Sequence, residues 1–240
     1  MRAEHDHTPQ AIAERIAAGP RVNYLRDWVY GGIDGAVTTF AIVAGVVGAE
    51  LSSKVVLILG AANLLADGFS MAAANFSGTK TEIDDYKRIK RIEERHVEHF
   101  PDGEREEVRQ IFQAKGLEGH YLDKAIDVIT HRKDLWVDTM LSEEYGLTHT
   151  LRSPLKAALA TFAAFVLAGF VPILPFILGL PASIGVATVM TALVFFFIGS
   201  VKSRWSMQRW WVSGFETLGI GLGAAGLAYG IGWVLKDIGG

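Results

Sequence analysis

Five long apolar runs constrain this chain more than any other feature of its sequence. A helix that crosses about 30 Å of hydrocarbon needs roughly 20 mainly apolar residues. Segments of that kind run from about Val29 to Ala49, Val55 to Ser77, Leu155 to Leu178, Ala182 to Val201 and Val212 to Leu235. A soluble domain of 240 residues would scatter its apolar side chains over many short periodic segments. Here half the residues are hydrophobic, and the charges collect between the runs. The pattern predicts an all-α integral membrane protein of five transmembrane helices with a helical insert between spans two and three. The expected divisions are a polar N-terminal tail (1–27), spans one and two (28–77), the insert (78–153) and spans three to five (154–240).

Glycines at 219, 221, 223 and 226 leave a smooth surface on the fifth span, suited to close helix packing in lipid. Pro172 and Pro175 are expected to bend the third span or mark its exit. Lys and Arg set the orientation. With the N-terminus cytoplasmic, twenty-one of them lie inside and two, Lys54 and Lys236, outside, so the C-terminus is extracytoplasmic. The first 27 residues are largely polar and do not read as a cleavable signal peptide. The His5-Asp6-His7 stretch within them reads as solvated tail. These features favour a bacterial inner membrane.

With no cysteine, disulfides, thiolate ligands and a cysteine nucleophile are excluded. A net charge of −3 without a basic stripe argues against nucleic acid as a partner. Any metal must be held by oxygen, imidazole or thioether.

The insert holds seventeen of the twenty-six acidic residues and five of the seven histidines. Its apolar residues recur at helical spacing, with Ile83, Tyr86, Ile89 and Ile92 on one face of a helix continuing from span two. After a break at Phe100-Pro101, Asp102 is placed to cap a second helix ending near Gln113. Leu122, Ile126 and Ile129 mark a third helix, and 135–145 a fourth. Three pairs share helical faces by spacing: Glu93 with His96, Glu104 with Glu107, and Met140 with Glu144. Such pairs are commonly solvated surface, but together their donors suit Fe2+, Mn2+ or Zn2+. Glu93 to His96 is the only Glu-x-x-His in the insert. A ferritin-like di-iron centre needs two.

Ionisable groups within spans are costly, by at least about 2.5 kcal/mol, and point to function. Asp34 lies early in span one. Asn63, Asp67 and Met71 follow at four-residue intervals along span two, an oxygen-and-thioether stripe that suits a cation shedding its water. Carboxylates there also allow exchange of metal for protons. Glu216 lies near the cytoplasmic end of span five, where interfacial solvation is the plainer account.

Asp34-Gly35-Ala36-Val37-Thr38-Thr39-Phe40, Val43-Ala44-Gly45-Val46 and Ala66-Asp67-Gly68-Phe69-Ser70-Met71-Ala72 resemble the vacuolar iron transporter family. The likeness runs from about Tyr24 to the end. It implies proton-coupled export of Fe2+, often also Mn2+, from the cytosol by a homodimer whose first spans line the pore. No prosthetic group is implied, and the chain reads as a transporter rather than an enzyme. The resemblance assigns Asp34 and Met71 to the pore, and Glu93, His96, Glu104, Glu107, Met140 and Glu144 to a cytosolic metal-binding domain. His96 stands where the family pattern has glutamate, and Asn63 where some members carry one. The competing reading is a membrane-anchored iron store or ferroxidase.

Overall fold

The computed structural model describes residues 6–19, 22–148 and 152–237, and among these every element is helical. In chain order they are α1 (Pro9–Ala18), α2 (Leu25–Gly48), α3 (Ser53–His99), α4 (Pro101–Ala114), α5 (Gly119–Thr130), α6 (Lys133–Glu143), α7 (Pro154–Ile177), α8 (Ser183–Lys202) and α9 (Trp210–Leu235), with a 3-10 turn at Ser203–Trp205. Helices α2, α3, α7, α8 and α9 are each long and apolar enough to cross a membrane. The chain divides into two compact units, one of residues 23–78 with 153–240, the other of 79–152 with 1–22.

In the apolar unit, α2 is the most enclosed helix: 56% of its apolar window is buried, against 11% for α9. Small residues make this possible. A Cβ on Gly31 would lie 2.2 Å from the Thr161 carbonyl oxygen, and one on Gly35 2.2 Å from that of Phe165. Both contacts are backbone, so α2 and α7 meet at a distance only glycine permits. On the other side of α2, a Cβ on Gly232 of α9 would lie 2.1 Å from the Gly45 carbonyl. Phe40, Val43, Val56, Leu64, Phe165 and Phe195 fill the core between these crossings.

The glycine-rich stripe on α9 behaves differently from its sequence reading. Gly221 packs against the Phe195 ring, but nothing among the described residues lies within 4 Å of a Cβ at Gly219, Gly223 or Gly226. Their 3–4 residue spacing puts them on the outward face. Pro172 and Pro175 are buried inside α7, which continues to Ile177. Prolines are tolerated in apolar helices where neighbouring helices and side chains satisfy the freed backbone groups. At the end of α7 the Pro175 carbonyl, one of its last, accepts from the Leu180 N–H at 3.0 Å.

In the polar unit, α4, α5 and α6 pack with the last turns of α3 around Tyr86, Ile89, Val97, Val108, Leu122, Ile126 and Trp136. Ile83 and Ile92, expected on the same face of α3, are half-buried and do not join this cluster. Asp102 does not cap α4. Phe100 takes that position, and Asp102 lies in the first turn, where its charge opposes the positive helix end. The polar N-terminal stretch contains a helix that hydropathy alone does not reveal: Thr8 caps α1, Pro9 opens it and Gly19 ends it, with no residue buried. Of His5-Asp6-His7, His5 lies outside the described residues.

Candidate functional site

The tight α3–α4 connection assembles the acidic pairs of the insert. Pro101 lacks an N–H, so it stops α3 and opens α4, where the missing donor costs nothing. The Phe100 N–H donates to the His96 carbonyl at 2.7 Å, and the Glu104 N–H to the Phe100 carbonyl at 3.2 Å. This sharp reversal stacks the last turns of α3 on the first of α4. Glu93 and Glu104 end up 1% and 4% exposed. His96 Nδ1 lies 3.2 Å from Glu104 Oε1 and 3.9 Å from Glu93 Oε1. One donor atom from each of the three residues falls within 4.8 Å of the other two.

Two oxygens in this cluster are left over. The Tyr145 hydroxyl donates to Glu93 Oε1 at 3.1 Å, but Glu93 Oε2 and Glu104 Oε2 are enclosed with no hydrogen-bond partner among the described residues. A buried acceptor without a donor costs roughly 1–3 kcal/mol, and more when charged. No lysine or arginine among the described residues pairs with either carboxylate. Burial, then the charges of Glu93 and Glu107, push the Glu104 carboxyl up to about 8. Burial and Glu93 raise Glu144 as well. Glu107 is itself exposed and acts on both by its charge. Met140 is fully enclosed in the bundle core, one turn before Glu144 on the same face. A divalent cation held by Glu93, His96 and Glu104 would satisfy both stranded oxygens and relieve the repulsion. Their donor set of two carboxylates and one imidazole suits Fe2+, Mn2+ and Zn2+ alike.

In the apolar unit, Asp34, Asn63, Asp67 and Met71 are all half-buried. The Asn63 amide donates to the hydroxyls of Thr38 and Thr39, both at 3.1 Å. The Thr38 hydroxyl donates in turn to the Asp34 carbonyl at 2.9 Å. Asp34 and Asp67 lie near enough for their charges to repel. Spans one and two therefore present two carboxylates and a bridging amide to one another. Glu216 stands apart from this group: it is exposed, with Lys202 Nζ 3.8 Å away.

A family model described as the VIT family matches residues 25–233. The chain belongs to the VIT family. Similar proteins include a vacuolar iron transporter of Toxoplasma gondii, 35% identical over 89% of this chain and 75% of that protein. Vacuolar iron transporter 1 of Oryza sativa subsp. japonica is 32% identical over 95% and 89%, and its Arabidopsis thaliana counterpart 31% over 85% and 83%. These names describe transporters, not enzymes.

Two features of this VIT-family chain were not singled out from its sequence. Asp27, 3% exposed near the start of α2, accepts from the Asn75 amide at 2.8 Å. Asn75 also donates to the Thr161 hydroxyl at 2.7 Å, so one amide ties α2, α3 and α7 together. The signal was present, because Asn75 extends the Asn63, Asp67, Met71 series by one turn and Asp27 precedes Asp34 by two. Tyr145 is the other. Its proximity to Glu93 across 52 residues of sequence depends on how α6 closes the bundle.

Proposed function

We propose that this protein carries a divalent metal ion, Fe2+ first, out of the cytoplasm across a membrane in exchange for protons. The relatives' names supply the iron. The observation that carries the reading is the pair of enclosed, unpartnered oxygens on Glu93 and Glu104 beside His96. Apolar burial of two carboxylates without a cationic partner is unfavourable unless a proton is taken up or a cation is their ligand. In this reading Glu93, His96 and Glu104 take the ion from the cytoplasm, with Glu107 and Glu144 deepening the negative field. Met140 supplies a thioether after local rearrangement.

The ion then passes Met71, Asp67 and Asp34. Their carboxylates exchange it for protons, the role expected of ionisable groups held within membrane spans. Asn63 orients the Thr38 and Thr39 hydroxyls along the same route, and Glu216 stands at its cytoplasmic edge. The excess of Lys and Arg in the N-terminal stretch, the insert and the 202–209 loop supports a cytoplasmic side for these. Mn2+ and Zn2+ fit the same donors and are expected to compete. The reading includes a homodimer with the first spans of both copies at its centre.

The test is anaerobic Fe2+ flux in proteoliposomes with an imposed pH gradient, with oxygen consumption followed separately in air. Transport that depends on the gradient and vanishes in Asp34→Ala is the expected result. Oxygen consumption without flux would replace this reading with an iron store or ferroxidase.

A further inference from the structure

A second site lies where α2 begins and α8 ends. There the apolar unit has a cavity of about 560 Å³, walled by Leu25, Val29 and Ile33 along one side and by the Trp205 ring. Its polar lining is Asn23, Arg26 and Lys202. Cavities of roughly 300–1,000 Å³ hold small molecules. Among the described residues no carboxylate lines this one. Among the described residues no carboxylate pairs with Arg26, whose guanidinium lies 5.4 Å over the Tyr30 ring. Among the described residues Lys202 has one carboxylate neighbour, Glu216, at 3.8 Å. The cavity is therefore cationic at one end and aliphatic along its length.

Both walls belong to helices long and apolar enough to span a bilayer. The aliphatic wall runs along the first turns of α2, in the direction of the hydrocarbon. Trp205 and Tyr30 are both more than half exposed, the usual place for aromatic rings at the lipid–water boundary. A soluble anion would use the two cations but leave the aliphatic wall wet. A fatty chain alone would use the wall but leave the cations unpaired. A molecule carrying a phosphate and an acyl chain meets both, and the bilayer supplies it. We propose that this cavity is a binding site for an anionic phospholipid, its phosphate held by Arg26 and Lys202 and its acyl chain laid along Val29 and Ile33. Nothing in the proposed metal route is needed for it.

Native mass spectrometry of the full chain in detergent tests this, with phosphatidylglycerol titrated against phosphatidylcholine of the same acyl chains. Each basic group near an anionic lipid surface contributes about fivefold in affinity. The wild type should retain phosphatidylglycerol preferentially. Arg26→Gln with Lys202→Gln should lose that preference by about twenty-five-fold. Arg204→Gln with Arg209→Gln, nearby basic residues outside the cavity, should keep it. Should the first double variant fail to fold, Arg26→Gln alone should show the fivefold loss, since its side chain is exposed and pairs with no carboxylate among the described residues. Ile33→Trp, which fills the aliphatic wall, should lower retention of both lipids. Equal loss in the two double variants would mean diffuse surface charge, and would overturn the proposal. So would displacement of the lipid by millimolar inorganic phosphate, which would make this a free-phosphate site, or no lipid preference in the wild type.

Discussion

Replacing Glu104 by glutamine tests the metal cluster most directly, because the substitution mimics a state the protein already visits. In the metal-free protein, burial and the charges of Glu93 and Glu107 push the Glu104 carboxyl to about 8, so at pH 7 it holds a proton. Glutamine has nearly the same shape and is also neutral, so the fold should be undisturbed. A divalent cation, by contrast, needs the carboxylate and must expel that proton on binding. One expelled proton makes the apparent affinity rise about tenfold per pH unit below about 8, or about 1.4 kcal/mol per unit, and level off above it. Titration calorimetry with Mn2+, which resists air oxidation, measures the affinity across this range. Repeating it in buffers of different ionisation enthalpy counts the protons released. Glu104→Gln should bind more weakly at alkaline pH, release about one proton fewer and show a correspondingly shallower pH dependence. A wild-type affinity that is flat between about pH 6 and 8, or a variant with the wild-type slope, would refute the reasoning.

The same shift makes a stability prediction of opposite sense. Between the ordinary carboxyl value of 4.5 and about 8 the folded chain holds a proton on Glu104 that the unfolded chain has lost, so metal-free stability should fall as pH rises through that window. Saturating Mn2+ should flatten the dependence in thermal unfolding. Gly35→Ala would put a Cβ 2.2 Å from the Phe165 carbonyl oxygen, against an ordinary contact of 3.4–4 Å. The helices must part by about 1 Å, at about 1–3 kcal/mol, whereas Gly219→Ala, with nothing within 4 Å, should leave unfolding in detergent unchanged. Equal effects would contradict the α2–α7 crossing. Asp34→Asn should stop Fe2+ flux in proteoliposomes while leaving Mn2+ affinity as in the wild type; a matching loss of affinity would mean the two sites are not separate. Asn75→Ala removes the hydrogen bonds to buried Asp27 and Thr161 and should cost about 1–3 kcal/mol by chemical denaturation, and a loss below about 0.5 kcal/mol would leave the three-helix tie unsupported.

Much of the architecture was legible because it depends on neighbours in sequence. The expected starts and ends of spans three to five fall within a few residues of α7, α8 and α9, since hydropathy registers directly in consecutive side chains. Spacing also singled out Glu93, His96 and Glu104, because i,i+3 pairs share a face wherever the helix goes. It was less informative about glycines. Gly219, Gly221, Gly223 and Gly226 read alike in sequence, yet only Gly221 meets a neighbour, because a helix has one packing face and composition does not say which. The N-terminal helix was missed for a related reason: α1 buries nothing, so no apolar period announces it.

Hydropathy, charge asymmetry and helical period are local quantities, and by themselves they determined that this chain has five apolar helices and a charged helical insert. Which groups go unsatisfied was decided by tertiary structure alone. The reversal at Pro101 sets Glu104 against Glu93 and His96, and the end of α6 brings Tyr145 to one of the two carboxylates. No spacing rule can say that one Glu93 oxygen will find a donor and the other will not. A carboxylate's solvation depends on every atom around it, and those atoms come from three helices spread over more than fifty residues of chain.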